Sequence, residues 1–485
     1  MFLFLIELFL LGLAITTYFA GKLPDFFLAV TGVLVGYLVY FMNGFILVLV
    51  DVPLRASWMA LLVSLELAGV ILHQGLTKRL VSGMTRSLWL HYLGVAVVYF
   101  GVLVFFYFNN FFFATTDSVY LVVMARNLVE SGLSKWYFSS PRGMGLFVPF
   151  IQTIPMLFGL DYAWFIQPAF MAAFIALFVF FAERSARRFI QSKVMRGLLV
   201  FLTAVLYVSA DLVFIMTTYI HTNFDSGLFF FLAIASLYFG VEEDQPAWFV
   251  FVPAFLMGFG ALRTENVITA LILILIYVGS QKIQSRIQRR VFLPYLIFQF
   301  GLYLRILLMH PDTYSDQMSN GQILIVLAGV AAVAAVLYLT ETKFLRSFIL
   351  PRLWWLVPAG LLAVVSVLGA FNFQHLLGNL QVNLKAFFVT GNWGAVWWVV
   401  VALALLFSFR IQFPQKQQLL GLILSFFIMI ALLGMLRVPY HERWFDSANR
   451  MLAHIAPLVL FYLITLAAAA SVPSQPEALK GKKLV

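Results

Sequence analysis

The sequence predicts an all-α, polytopic transmembrane helical protein, and three observations carry that expectation. Of its 485 residues 63% are hydrophobic and only 11% charged, whereas an ordinary soluble chain is about half apolar and a quarter charged. The apolar residues gather in about 15 stretches long enough to cross a bilayer as helices, at 2–20, 26–50, 57–72, 88–112, 162–182, 197–217, 226–240, 247–262, 266–280, 291–309, 322–340, 353–371, 393–409, 418–436 and 451–470. The basic residues sit in short clusters between these stretches, as membrane topology requires, so the net charge of +11 points to sidedness and not to nucleic acid. There is no cysteine, which excludes disulfides, thiolate metal sites and a cysteine nucleophile.

Taken in order, the first stretch, Phe2 to Ala20, lacks the basic start and small-residue cleavage site of a signal peptide and reads as a mature helix. A further apolar segment, 146–160, decides the topology. If it does not cross, the basic loops 73–87, 183–196, 281–290, 341–352 and 410–417 and the tail lysines Lys480, Lys482 and Lys483 all fall on one side. That side then holds most of the 31 lysines and arginines, which the positive-inside bias makes cytoplasmic. Pro149 and Pro155 also suit a broken helix lying in the surface better than a regular span. The outer side then comprises 51–56, 113–161, 218–225, 263–265, 310–321, 372–392 and 437–450. The chain divides into an N-terminal three-helix appendage (1–87), a transmembrane body (88–470) with an outer loop at 113–161, and a cytoplasmic tail (471–485).

The outer loop opens on Thr115-Thr116-Asp117-Ser118-Val119-Tyr120. From Asp117 to Ser131 the pattern predicts an amphipathic helix with Tyr120, Leu121, Met124 and Leu128 on one face. Thr115 or Thr116 can cap it and Gly132 can end it. A carboxylate in the first turn is stabilised by the helix dipole, so Asp117 is expected to be ionised and able to take a proton. The plainer reading is that it helps to cap the helix.

Asp117 with Tyr120, then Ala125-Arg126-Asn127-Leu128 and Gly132, resembles the first outer loop of the GT-C glycosyltransferases, the superfamily that includes protein O-mannosyltransferases and lipid A aminoarabinose transferases (family 39-like). Pro141 to Gly159, ending Leu157-Phe158-Gly159, is similar to the proline-containing surface segment that follows there. Ile220-His221-Thr222-Asn223-Phe224-Asp225 resembles the outer loop before a Phe-rich span. Gly258 to Asn266, with Ala261-Leu262-Arg263-Thr264-Glu265, resembles a break between two helices, and Asp446-Ser447-Ala448-Asn449-Arg450 resembles the opening of the last span. The resemblance runs over roughly 88–470. It implies a GT-C-like body whose first outer loop carries surface-lying helices. It also implies transfer, with inversion, of a hexosyl or pentosyl group from a polyprenyl-phosphate-linked sugar to an acceptor on the outer face of the membrane.

That chemistry needs a base for the acceptor hydroxyl, cations for the departing phosphate and an apolar groove for the lipid. Asp117 is the candidate base. Tyr120, Arg126, Arg142, His221, Asp225, Arg263, Glu265, Arg443 and Arg450 are the candidate substrate-binding residues, the arginines because a guanidinium fork matches a phosphate. For Arg126 and the other loop arginines the plainer reading is snorkelling or loop pairing. His221 and Asp225, four apart, could share a helix face, and Glu265 could ligate a metal or pair with Arg263. No second acidic residue adjoins Asp117, so no cofactor is assigned and a divalent metal stays open. Within spans, Glu66, Asp211 and Arg305 call for buried partners, and Asp211 with Arg305 is one candidate pair. Trp354-Trp355 and Trp397-Trp398 read as interface anchors. The expected partners are the polyprenyl-phosphate donor, membrane lipids and a lipid, glycan or protein acceptor, with no nucleic acid. The expected location is a plasma or inner membrane. A transporter or flippase of lipid-linked sugars and a catalytically inactive GT-C-like scaffold are the competing readings.

Overall fold

The computed structural model describes residues 1–50, 52–77, 85–109, 115–132, 145–217, 220–280, 283–309, 319–409, 411–413, 415–436 and 441–471, with only the backbone described for Thr116, Met309 and 441–447. Among them there is no sheet. The helices in order are α1 (Phe2–Thr17), α2 (Asp25–Leu49), α3 (Ala56–Leu76), α4 (Arg86–Phe108), α5 (Thr116–Ser131), α6 (Phe147–Leu157), α7 (Ile166–Arg187), α8 (Lys193–Val208), α9 (Asp211–Thr217) and α10 (Asn223–Glu242). A 3-10 turn, Pro246–Phe251, leads into α11 (Val252–Gly260), followed by α12 (Thr264–Val278), α13 (Ser285–Met309) and α14 (Asn320–Leu339). A π-helical turn and a 3-10 turn, Leu345–Ile349 and Leu350–Arg352, precede α15 (Leu353–Phe371), α16 (Phe373–Phe388), α17 (Val396–Phe407), α18 (Lys416–Leu436) and α19 (His441–Ala470).

By length and composition, 10 of the described helices are long and apolar enough to cross a membrane, or 11 if a bent pair counts as one span. The bent pair corrects the expected span 197–217: α8 and α9 meet at 73°, because the apolar run is interrupted by Ser209-Ala210-Asp211. α1, α12 and α17 are also shorter than full spans. At ~1.5 Å per residue they reach roughly 18–24 Å, against a hydrocarbon core of about 30 Å. The segment 372–392, read as an outer loop, instead contains α16, capped by the Asn372 side chain.

Helix α6 spans 11 residues, about 16 Å by helical rise, too short to cross. It does not lie on a lipid surface either, for every residue from Phe147 to Pro155 is buried. Phe147 and Phe150 pack edge-on against Phe41 of α2, Phe147 also meets Phe229 of α10, and Tyr40 bonds Thr153 at 2.5 Å. A count of charges decides whether a segment crosses but says nothing about depth, which is why the sequence expectation placed α6 in the surface.

The centre of the protein is α10, buried from Asn223 to Val241. Its phenylalanines interlock with neighbouring rings: Phe231 with Phe461 at 5.7 Å, Phe239 with Phe181 at 5.4 Å, Phe230 with Phe259 at 4.9 Å. Offset and edge-on aromatic pairs add to burial. The N-terminal helix α2 joins this packing through Phe27 on Trp248 (4.9 Å) and Tyr37 on Phe170 (5.0 Å). The outer ring is different in kind. α3 buries only Met59, Val63 and Gln74, and α4 turns Trp89, Leu93, Val97 and Phe105 outward, as a lipid-facing helix does.

Polar groups within the spans are handled individually. Asn43 donates to Glu66 at 2.8 Å. The proposed Asp211–Arg305 pair does not form: Asp211 is exposed and no ion pair among the described residues joins them. Trp355 and Trp398 are exposed as anchors would be, whereas Trp397 is buried against Phe387 at 4.9 Å. At the basic end, Arg184 forks onto Glu243 (2.6 and 2.8 Å), and Arg188 meets Glu242 at 2.7 Å.

Candidate active site

At the opposite end from those arginines, α5 begins as the sequence predicts. The Thr115 side chain accepts from Ser118 N–H (3.1 Å), and Gly132 ends the helix at φ 65. Leu121, Met124 and Leu128 are buried on one face, with Tyr120 partly buried beside them. Because Thr115 does the capping, Asp117 points elsewhere, and the plainer cap reading does not describe it. The hydroxyl of Ser118 donates to Ile220 C=O (2.9 Å), which ties the first turn of α5 to the segment carrying His221.

Asp117 there meets residues distant in sequence. Arg450 of α19 donates to its Oδ2, and His221 Nε2 lies 3.1 Å from the same oxygen. Asp117 and Arg450 keep 15% and 18% of their side chains exposed, while His221 keeps 1%. The cluster is therefore reachable from outside, with a floor made by the imidazole. Arg450 Nη1 and His221 Nε2 stand 3.0 Å apart, drawn together by their shared acceptor.

Behind the imidazole a second layer assembles. The backbone N–H of Asn223 donates to His221 Nδ1 at 3.1 Å, and its side-chain Nδ2 lies 2.8 Å from the same atom. Asn223 Oδ1 accepts from Arg263 Nη1 and from His454 Nε2, each at 3.0 Å. Arg263 precedes α12 in extended conformation and also gives its Nε to Glu265 at 2.6 Å. Two close approaches make this possible. A Cβ on Gly227 would stand 2.6 Å from Ala453 O, so glycine lets α10 close on α19 beside His454. A Cβ on Gly145 would stand 2.0 Å from Ala261 O. There Gly145 N–H and Phe147 N–H donate to Leu262 and Ala261 (2.9 and 3.0 Å), pinning the turn that presents Arg263.

The electrostatics follow from the contacts. Burial alone would raise the Asp117 carboxyl. The His221 hydrogen bond and the Arg450 guanidinium outweigh burial and hold the group well below the usual carboxylate range. Burial pushes His221 down to about 4, against the pull of the Asp117 hydrogen bond, with the cations Arg450 and Arg263 adding to the depression. At neutral pH His221 is thus a neutral hydrogen-bond donor, and Arg450 is the charge that keeps Asp117 ionised.

Of the candidates from sequence, Asp117, His221, Arg263, Glu265 and Arg450 converge. Arg126 does not. It lies nine residues along α5, roughly 13 Å by helical rise, and pairs at the surface with Asp161 at 2.9 Å. Asp225 is buried but faces α7, where Gln167 donates to it at 3.0 Å. α10 starts only at Asn223, so His221 lies outside the helix and the two do not share a face. Arg142 lies outside the described residues, and the Arg443 side chain outside the described side chains. Asn223 and His454 were not singled out in the sequence. Their signals were slight: Asn223 follows His221 by two, and His454 stands one turn after Arg450. No group of three or more His, Asp or Glu among the described residues is placed to hold a metal ion.

No protein-family model matches the chain, and no curated protein does. Among solved structures, the chain is similar to the Archaeoglobus fulgidus oligosaccharyltransferase. The apo crystal structure gives a TM-score of 0.44 at 12% identity, over 77% of this chain and 50% of that one. The complex with Zn and sulfate gives 0.45 at 13% identity, over 77% and 48%. The chain thus spans about half the length of that enzyme.

Proposed function

We propose that this membrane protein is an inverting glycosyltransferase of GT-C type, moving a sugar from a polyprenyl-phosphate donor to an acceptor on the outer face of the membrane. The observation that carries this reading is the convergence of a held carboxylate, a neutral imidazole and two arginines, Asp117, His221, Arg450 and Arg263, at the end of the molecule away from its basic loops. The positive-inside bias of those loops supports reading that end as the outer one. Membrane helices supply the apolar walls that a polyprenyl tail needs.

In this mechanism the acceptor hydroxyl attacks the anomeric carbon from the side opposite the phosphate. The C–O bond to phosphate breaks, its electron pair leaves with the phosphate, and the hydroxyl proton passes to Asp117. Arg450 takes the charge that gathers on the phosphate, and Arg263, buried behind His221, adds its positive field. A carboxylate paired with an arginine is a weak base, and the donor itself relieves this. An incoming phosphate competes for the Arg450 fork, and once that cation turns to it the Asp117 carboxyl rises toward its ordinary range.

The test is Asp117→Asn in purified protein reconstituted in lipid with a polyprenyl-phosphate sugar. Asn is nearly isosteric and its carbonyl still accepts from Arg450 and His221, so insertion and thermal stability are retained. Without a base, transfer falls on the order of a hundredfold or more. Near-normal turnover in a stable variant would remove Asp117 from the chemistry and favour the scaffold reading.

A further inference from the structure

The hydrogen bonds of the buried layer behind Asp117 favour one arrangement of protons. The atom of Asn223 that faces Arg263 Nη1 at 3.0 Å must be the oxygen, because a guanidinium only donates. That fixes the amide: its Nδ2 is the atom 2.8 Å from His221 Nδ1. A backbone N–H also donates to this Nδ1, so Nδ1 is a bare acceptor and the ring proton sits on Nε2, aimed at Asp117 Oδ2. The same Asn223 oxygen accepts from His454, which must therefore also carry its proton on Nε2. In the opposite tautomer a proton on His221 Nδ1 would meet both the backbone N–H and the Nδ2 of Asn223, and the Nε2 lone pair would face the carboxylate. Arg450 Nη1, 3.0 Å from Nε2, is the one contact that favours it, and that guanidinium already donates to Asp117.

We propose that Asn223 is a positioning residue that locks His221 as the neutral, Nε2-protonated imidazole and couples that ring to Arg263, so that His221 acts only as a donor to Asp117. This rests on the transferase reading for its catalytic consequence, but the lock itself does not. Among the described residues, the titratable and charged groups around the ring are Asp117 from α5, Arg450 and His454 from α19, and Arg263 with Glu265 behind it from the start of α12. Three of the charges nearest the ring are thus two cations and the one carboxylate it serves. A His221 able to take a second proton near neutral pH would grip Asp117 more tightly and weaken it as a base. A His221 of the other tautomer would repel it. Asn223 prevents both by presenting donors alone to Nδ1.

Asn223→Asp is the informative change. It keeps the shape and the acceptor for Arg263 and His454, but turns a lone pair toward His221 Nδ1 and draws a proton there. The protein has 7 histidines, so 15N-histidine labelling in lipid nanodiscs, with His221→Gln to assign the signal, reads the ring directly. The wild-type spectrum is expected to show a bare Nδ1 and a protonated Nε2 at pH 7. In Asn223→Asp, Nδ1 becomes protonated, transfer at pH 7 falls about tenfold or more, and the rate acquires a new rise with pH between about 6 and 8. A protonated Nδ1 in the wild type overturns the proposal without any variant. So does an Asn223→Asp protein whose ring signal and pH profile are unchanged. If the ring responds as expected while neither protein transfers sugar, the lock stands and the transferase reading falls.

Discussion

On the proposed mechanism Arg450 does two opposed things, holding Asp117 ionised in the resting protein and binding phosphate in the working one, and replacing it separates them. Arg450→Ala removes a guanidinium whose side chain is 18% exposed, that bonds Asp117, and that lies 3.0 Å from His221. A hydrogen bond to a charged group is worth ~1.5–3 kcal/mol, and ~1.4 kcal/mol is a factor of ten. Loss of one such contact with the donor phosphate therefore lowers kcat/KM roughly 10- to 150-fold. The freed Asp117 becomes a better base, which returns part of this in kcat, so the loss is concentrated in KM. His221 changes as well. With a repelling cation gone and Asp117 still beside it, the imidazole titrates nearer its ordinary range, and the residual rate gains an acid limb. Arg450→Lys keeps the charge but not the fork and is expected to fall between. The assay is initial rate against polyprenyl-phosphate sugar concentration at several pH values, with thermal stability measured in parallel. A stable Arg450→Ala protein with unchanged KM and an unchanged pH profile would refute the assignment of Arg450 to the phosphate and to the Asp117–His221 pair.

Gly227→Ala places a methyl 2.6 Å from Ala453 O, so α10 and α19 must part. Overpacking of this kind costs ~1–3 kcal/mol, to be read as a lowered Tm together with loss of the Asn223–His454 contact. Acid should destabilise the protein in two stages. The unfolded chain protonates His221 near its ordinary value of ~6.5 whereas the folded ring holds out to about 4, so stability falls as pH drops between them. Below that range Asp117, whose folded carboxyl is depressed, contributes stability that is lost as pH falls further. Melting temperature against pH checks this, and His221→Gln is expected to shrink the first stage. The absence of cysteine permits labelling without background. A cysteine replacing Asp161, exposed in the structure, should react with an impermeant maleimide in intact cells, and one replacing Gln191 only after permeabilisation. The reverse pattern would invert the proposed sidedness.

The sequence carried the local parts of this structure well because they depend on nearest neighbours. Thr115 and Gly132 bound α5, and Leu121, Met124 and Leu128 mark its buried face, since the helical period relates residues three and four apart. The site residues were legible as types: Asp117 and Arg263 are ionisable groups at helix starts, whereas Arg450, read as the opening of the last span, lies well inside α19, which begins at His441. What sequence could not give is which of several outer arginines turn inward. Arg126 sits in a motif yet pairs with Asp161, and Arg450, 333 positions from Asp117, reaches it only through the packing of α10 against α19. Asn223 and His454 escaped for a related reason. In a chain this apolar a buried Asn or His reads as ordinary polar packing, and only the hydrogen-bond directions show otherwise. Depth was equally hidden, as α6 shows.

The pairing of Asp117 with Arg450 also orders the making of the protein. Asp117, His221 and Arg263 emerge from the ribosome well before α19, the last helix described. Until that helix is in place the carboxylate lacks its cation, Asn223 lacks His454, and the cleft beside α10 stands open. A chain cut short of α19 therefore cannot assemble the Asp117–Arg450 pair, however many of its helices have entered the bilayer. On the transferase reading, sugar transfer then begins only once α19 has packed against α10.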